Sequence, residues 1–212
     1  MTIGFLHTAE MHSSTFSRLL NDVAPGRPSV HVVDTSLLTD ARERGGVDVE
    51  LGRRLVSRLR EAARTASVVV CTCSTISGAA ERLSDAVGVP IVRIDRPMAE
   101  RAVDAGSHIA VVTVHESTIA PTVTLIREVA DQMGRTPTVD EVVLPEAWVL
   151  FEDSDFVGYA SAIAAVVDSL DSVPDVVVLA QASMASAAEL CTTTVPVLSS
   201  PRSAIEAAVS LV

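Results

Sequence analysis

The sequence predicts an α/β protein of two similar Rossmann-like lobes, each with a parallel four-stranded sheet. The lobes are expected to be related by pseudo-twofold symmetry, with a ligand site at the lobe interface. Three observations lead there. Short apolar runs alternate with longer amphipathic segments along the whole chain, as in strands joined by crossover helices. The strongest runs, Val-Val-Val-Cys at 68–71 and Val-Val-Val-Leu at 176–179, are continuously apolar, as parallel strands covered on both faces must be. The chain also repeats itself: residues 67–75 align without gaps on 175–183, and 90–103 on 196–209, matching Arg96 with Arg202, Glu100 with Glu206 and Val103 with Val209.

In order, residues 3–7 read as a strand, 15–21 as a helix and 29–33 as a strand. Residues 49–66 read as a helix, because Leu51, Leu55, Leu59 and Ala62 recur at helical spacing while arginines fill the solvent face. A strand at 67–72, a helix at 78–87, a strand at 90–94 and a helix at 97–105 complete the first lobe, residues 1–106. The second lobe, 107–200, holds strands at 108–113, 139–144, 175–180 and 195–198, with helices at 118–134, 156–170 and 184–190. The last helix, 201–212, is expected to pack back on the first lobe. Segments 38–47 and 145–155 read as loops that can reshape a cleft.

Composition narrows the function classes. The 212 residues suffice for a sizeable core, and 48% hydrophobic with only 3% aromatic residues makes that core aliphatic. A formal net charge of -11 repels phosphate backbones and argues against a nucleic-acid partner. All 16 basic residues are arginine. That excludes a lysine Schiff base, a pyridoxal anchor and a P-loop lysine. Three cysteines without framework spacing argue for a reducing compartment, and a cytoplasmic location is expected. No run reaches the roughly 18 apolar residues of a membrane span, and His7, Glu10 and His12 interrupt any signal-like stretch. No His/Cys set has metal-site spacing, so no metal is expected.

The chemistry concentrates in Val68-Val-Val-Cys-Thr-Cys-Ser-Thr75, where a buried strand runs into a polar turn and then a helix. Backbone N–H groups at a helix start favour an anion, a thiolate or a bound carboxylate included. Cys73 is therefore the candidate reactive thiol. Cys71, two residues earlier, reads as a packed strand thiol, and Cys191 as a core or loop thiol. His7, at the tip of the first strand, and His115, in the matching place of the second lobe, are candidates for proton transfer or ligand contact. Asp34 and Asp95 follow strands and read as helix caps.

Three motifs carry a family resemblance over essentially the whole chain. Cys73-Ser74-Thr75 after an apolar strand, Val112-Thr113-Val-His-Glu-Ser-Thr118-Ile119 in mid-chain, and Leu179-Ala180-Gln181-Ala182-Ser183-Met184 in the second half together resemble the aspartate/glutamate racemase superfamily. That superfamily includes glutamate, aspartate and hydantoin racemases, maleate isomerases and arylmalonate decarboxylases. The resemblance implies a cofactor-independent site at the lobe interface, where two cysteines face each other across a small carboxylate substrate. Carried over by position, Cys73 is one acid/base. Ser74, Thr75, Thr113, Ser117 and Thr118 are carboxylate or oxyanion donors. His7 and Thr8 in the first half, and Gln181, Ala182 and Ser183 in the second, are further substrate contacts. A homodimer is a family-level expectation.

One departure matters. The second cysteine's place is taken by Gln181, both in the family motif and in the chain's own repeat. A primary amide does not titrate near neutral pH. A symmetrical two-thiol racemisation is thereby put in question, whereas one thiol suffices for cis–trans isomerisation, decarboxylation or exchange on one face. The expected function is a racemase-like isomerase or lyase acting beside a carboxylate with Cys73 alone. The alternative is a catalytically inactive small-carboxylate binding protein of the same fold.

Overall fold

A computed structural model describes residues 1–170 and 172–212. In chain order the elements are β1 (Ile3–His7), α1 (Met11–Val23), β2 (Ser29–Val33), α2 (Ser36–Glu43), α3 (Val49–Ala63), β3 (Val68–Cys71), α4 (Ser74–Arg82), α5 (Ser84–Val87), β4 (Ile91–Arg93) and α6 (Arg96–Ala105). There follow β5 (His108–Thr113), α7 (Glu116–Gln132), β6 (Thr138–Val143), α8 (Pro145–Glu152), α9 (Phe156–Asp168), β7 (Val176–Leu179), a 3-10 turn (Ala182–Met184), α10 (Ala185–Ala188), β8 (Val197–Ser199) and α11 (Ser200–Ser210). Packing divides the chain into two compact units, Met1–Pro97 with Pro201–Val212, and Met98–Ser200.

Each unit holds one four-stranded sheet, with order β2-β1-β3-β4 in the first and β6-β5-β7-β8 in the second. Every pairing is parallel. The repeat seen in the sequence is thus a repeat of topology: β3 and β7 hold the same place in identical strand orders.

The aliphatic runs account for the cores. All four residues of β3 and all four of β7 are buried. In the first unit, α3 turns Leu51, Leu55, Leu59 and Ala62 inward, and Asp48 caps it by accepting from Leu51 N–H (2.8 Å). Each such leucine contributes about 1.5–3 kcal/mol by burial. In the second unit, α7 buries Leu125, Ile126 and Val129, while α9 buries Tyr159, Ile163 and Val167. Met98, Ala99, Ala102 and Val103 of α6 pack in one apolar cluster with Ile109, Val111 and Val176, so packing places most of that helix with the second unit.

Several boundaries differ from the sequence reading. Two segments read as loops are helices. α2 buries only Leu37 and Ala41, and α8 only Ala147, too few positions for a helical period to show. The helix expected at 78–87 begins at Ser74 and breaks at Leu83 into α4 and α5. Ser74 and Thr75 therefore lie in a first helical turn, with Cys73 as its N-cap. The helix expected at 184–190 is shorter and is entered through the 3-10 turn. Among the described residues no helix is long and apolar enough to cross a membrane.

Candidate active site

Parallel strands bring their C-terminal ends to one edge of a sheet, where ligands of open α/β sheets bind. In the first unit that edge gathers His7 and Thr8 from β1 with Thr72, Cys73, Ser74 and Thr75 after β3. Cys73 has an extended backbone (φ -114°, ψ 111°), and its carbonyl opens α4 by accepting from Ile76 and Ser77 N–H (3.2 and 2.9 Å). The residue is 8% exposed and belongs to the apolar cluster of Leu6, Ile76 and Ala80. Among the described residues the Cys73 thiol and the Thr8 and Thr75 hydroxyls have no hydrogen-bond partner. The neighbouring Cys71 is fully buried and accepts from the Cys73 backbone N–H. Burial foremost, and then the nearby Cys73, push its thiol well above the ordinary range, so Cys71 is no thiolate. Cys191 donates its thiol to Ala187 O (3.2 Å) and is likewise held above the ordinary range, by burial and then by Asp168.

Behind this edge lies a cluster that sequence reasoning missed. Thr72 Oγ1 donates to Leu6 O (3.1 Å), which uses its only proton, so the 2.9 Å contact with His7 Nδ1 must be a donation from His7. His7 Nε2 is then a lone pair and accepts from His31 Nδ1 (2.9 Å). His31 Nε2 meets the hydroxyls of Ser29 and Ser17, each at 3.0 Å. Proton counting thus fixes the tautomer of His7. His7 stacks parallel to His31 and Phe5 (ring centroids 5.2 and 5.7 Å) and meets His12 edge-on at 6.1 Å. Burial, followed by the charges of His31 and His12, lowers the pKa of His7 to about 3. Burial also lowers those of His12 and His31. His7 is therefore neutral with both nitrogens engaged inside the unit. The missing signal was register: Phe5 lies opposite His31 only because β1 and β2 pair in parallel.

A buried ion pair closes the other side. Arg93, opposite Cys71 in register, grips Asp95 with Nε and Nη2 (2.6 and 3.1 Å), and both residues are buried. Asp95 also accepts from Ser77 Oγ of α4 (3.4 Å), so it ties this pair to α4 at the position directly before α6. The guanidinium lies against Gly78, where a Cβ would sit 2.8 Å from Nη1. Asp34, the other aspartate read as a cap, instead accepts from Ser36, Arg54 and Arg58 side chains.

The second unit presents a different edge. Gln181, extended like Cys73 (φ -124°, ψ 141°), follows β7. Its Oε1 accepts from Thr113 Oγ1 (2.8 Å) and Val114 N–H (2.9 Å). Ser183 Oγ meets the phenol of Tyr159 at 3.0 Å, and burial raises the Tyr159 pKa to about 12. Ala182 and Ser183 form the 3-10 turn and are half-buried. Thr118 is buried in the first turn of α7, whereas Ser117 beside it is exposed. His115 stands at the N-cap position of α7 and packs on Trp148 (4.3 Å between rings). Among the described residues no three His, Cys, Asp or Glu side chains group to hold a metal ion.

The model of the Asp/Glu/hydantoin racemase family matches residues 6–208. No curated protein sequence matches. Solved structures similar in fold include an aspartate racemase from Picrophilus torridus (TM-score 0.71, 11% identity, covering 99% of this chain and 93% of that one). An allantoin racemase from Pseudomonas fluorescens has TM-score 0.62 and 21% identity over 100% and 90% of the two chains. A variant of arylmalonate decarboxylase has TM-score 0.63 and 16% identity over 100% and 93%.

Proposed function

From the premise that the chain belongs to the Asp/Glu/hydantoin racemase family, we propose that it is a cofactor-independent isomerase or lyase acting at the carbon beside the carboxylate of a small acid, with Cys73 as its single thiol acid/base. One observation carries the reading. At the C-terminal ends of the adjacent strands β1 and β3, a thiol and two hydroxyls, those of Cys73, Thr8 and Thr75, are left without partners among the described residues, while the polar groups behind them, His7 and Thr72, are bonded to each other.

The chemistry follows from the groups. As thiolate, Cys73 takes the proton next to the carboxylate. The resulting enediolate is held by hydroxyl and backbone donors, and the thiol returns the proton to the same face. When carbon dioxide leaves instead, the same thiol protonates the enediolate. When the substrate carries an activated double bond, the thiolate adds, the bond rotates and the thiolate departs. Gln181 does not titrate and takes no proton in any of these. The fold likeness to both racemases and an arylmalonate decarboxylase supports keeping isomerase and lyase together.

The test is proton NMR in deuterated water with aspartate, glutamate, hydantoins, maleate and arylmalonates, using Cys73→Ala as control. Exchange, isomerisation or decarboxylation that vanishes in the variant is the expected result. Turnover that survives Cys73→Ala overturns the role of the thiol. Silence across the panel with thermal stabilisation by one of the acids identifies a binding protein instead.

A further inference from the structure

We infer that Gln181 is a one-way donor: its amide NH2 binds an oxyanion of the ligand, a carboxylate oxygen in the resting complex, and offers no acceptor. This deepens the proposed function by naming an anion-binding group at the tip of β7, and it rests on the reading that the strand ends take a small carboxylate.

The argument is one of hydrogen-bond accounting. A glutamine amide has an acceptor end and a donor end, and coordinates alone rarely distinguish them. Here the partners do. Val114 N–H, 2.9 Å from Oε1, is a backbone donor and nothing else. Reversing the amide would set NH2 against N–H. Thr113 Oγ1 lies 2.8 Å from the same oxygen and is itself approached by His115 N–H at 3.2 Å. The Thr113 hydroxyl also lies 3.2 Å from His115 O, but Val114 already fixes Oε1 as an acceptor, so the shorter contact needs the Thr113 proton and the hydroxyl donates to Gln181. Both lone pairs of Oε1 are thus used inside the unit. Nε2, with two hydrogens, has no hydrogen-bond partner among the described residues.

The side chain is held by its far end, so little rotamer freedom remains to be lost on binding. The free end is a pair of neutral donors at the tip of β7, in a half-buried position. A neutral donor favours a negatively charged oxygen over a cation or a second donor. The amide also keeps its hydrogens at any pH near neutrality, so its contribution does not titrate. Ligands with only N–H or O–H at that place are disfavoured, and those with a carboxylate or enediolate oxygen there are selected.

The experiment uses full-length 15N-labelled protein. The Gln181 side-chain amide signals are assigned by their loss in Gln181→Ala. Sodium acetate and sodium malonate are titrated in, with sodium chloride as control, at a matched ionic strength of about 0.2 M, where exposed charges are well screened. One or both Gln181 Hε2 protons should move downfield and saturate with a carboxylate but not with chloride. Gln181→Glu keeps an acceptor facing Thr113 and Val114 but turns a second acceptor outward, and it should weaken malonate binding by about tenfold or more. If carboxylates move the Cys73 backbone signal and leave the Gln181 amide still, Gln181 is only a structural tie and the inference fails while the proposed function stands. If the amide responds but no acid is turned over, the inference stands and the proposed activity fails. An amide unmoved by either carboxylate, or a Gln181→Glu variant binding malonate like the parent, overturns the inference.

Discussion

Positions 73 and 181 hold the same place in two copies of one topology. Each follows the third strand of its sheet order, and each has an extended backbone. What comes next differs. Cys73 opens a nine-residue α-helix, whereas Gln181 leads into a 3-10 turn and a four-residue helix. The side chains differ more. The thiol has no hydrogen-bond partner among the described residues, and the amide oxygen has two. A group left free at a strand tip is available for chemistry, and one tied at its far end is available for positioning. Topology alone does not distinguish these roles, but the bonding pattern does.

The largest expected separation is between Cys73→Ala and Gln181→Ala. On the acid identified by NMR, the first should lower kcat/KM by about 10³-fold or more, because it removes the proton carrier. The second should cost about 10²-fold, the low end of the scale of one lost oxyanion donor. Thermal denaturation of both variants checks that neither loss is unfolding. Equal losses would erase the distinction between a reacting and a positioning residue.

The second prediction concerns what backs each edge. The first unit backs its edge with the imidazoles of His7, His12 and His31, whereas the second ties Gln181 with a hydroxyl and a backbone N–H that do not titrate near neutral pH. His7 is neutral when folded, with its pKa lowered to about 3 by burial and then by His31 and His12. The unfolded chain binds a proton there below about pH 6.5. The unfolded state thus holds more protons between these limits, so stability rises with pH. It is complete above about pH 6.5 and falls as pH drops toward 3, by about 1.4 kcal/mol per pH unit for His7 alone. Denaturant unfolding at about pH 7.5, 6.5 and 5.5 should show the loss, and His7→Gln should reduce its slope by one proton. An unchanged slope in the variant would show that the imidazole is charged or exposed.

Much of this was legible in the sequence, for identifiable reasons. Central parallel strands such as β3 and β7 must be apolar on both faces, so their runs stand out. The repeat exposed Gln181 as the counterpart of Cys73 before any coordinates. The side-chain bonding was not legible. Thr113 and Gln181 are 68 residues apart and meet only because β5 and β7 are neighbours. His31 meets His7 through the β1–β2 pairing. Ser74 and Thr75 read as turn residues because Ser and Thr compete with the helix for backbone hydrogen bonds, yet a first helical turn tolerates them.

A third prediction uses two helical glycines. At Gly78 an added Cβ meets Arg93 Nη1 at 2.8 Å, and Asp95 holds that guanidinium so that it cannot swing away. Gly78→Ala should destabilise by about 1–3 kcal/mol through overpacking and disturb the helix that Cys73 caps. Gly52 of α3 has nothing within 4 Å of its Cβ position, so Gly52→Ala should stabilise by about 0.5–1 kcal/mol. Chemical denaturation reads both. Opposite signs place the constraint on the Cys73 side at Gly78 and Arg93, whereas equal signs would mean that Arg93 relocates freely.

The smallest effect is expected from Thr113→Val, which bears on the Gln181 side alone. The substitution removes one of two donors to Oε1 and leaves Val114 N–H in place at 2.9 Å. The remaining backbone donor still forbids reversal of the amide, so the NH2 should keep its outward orientation. The lost hydroxyl bond is worth about 1 kcal/mol, and His115 N–H loses an acceptor at the same time. Turnover should fall only a few-fold, mostly through KM, because the donor loosens but remains a donor. The side-chain amide spectrum is the decisive readout, since a merely structural threonine would leave the Gln181 signals where they were. If Thr113→Val matches Gln181→Ala in kinetics, the hydroxyl itself contacts the substrate, and the oxyanion donor of the second unit is Thr113 with Gln181 as its support.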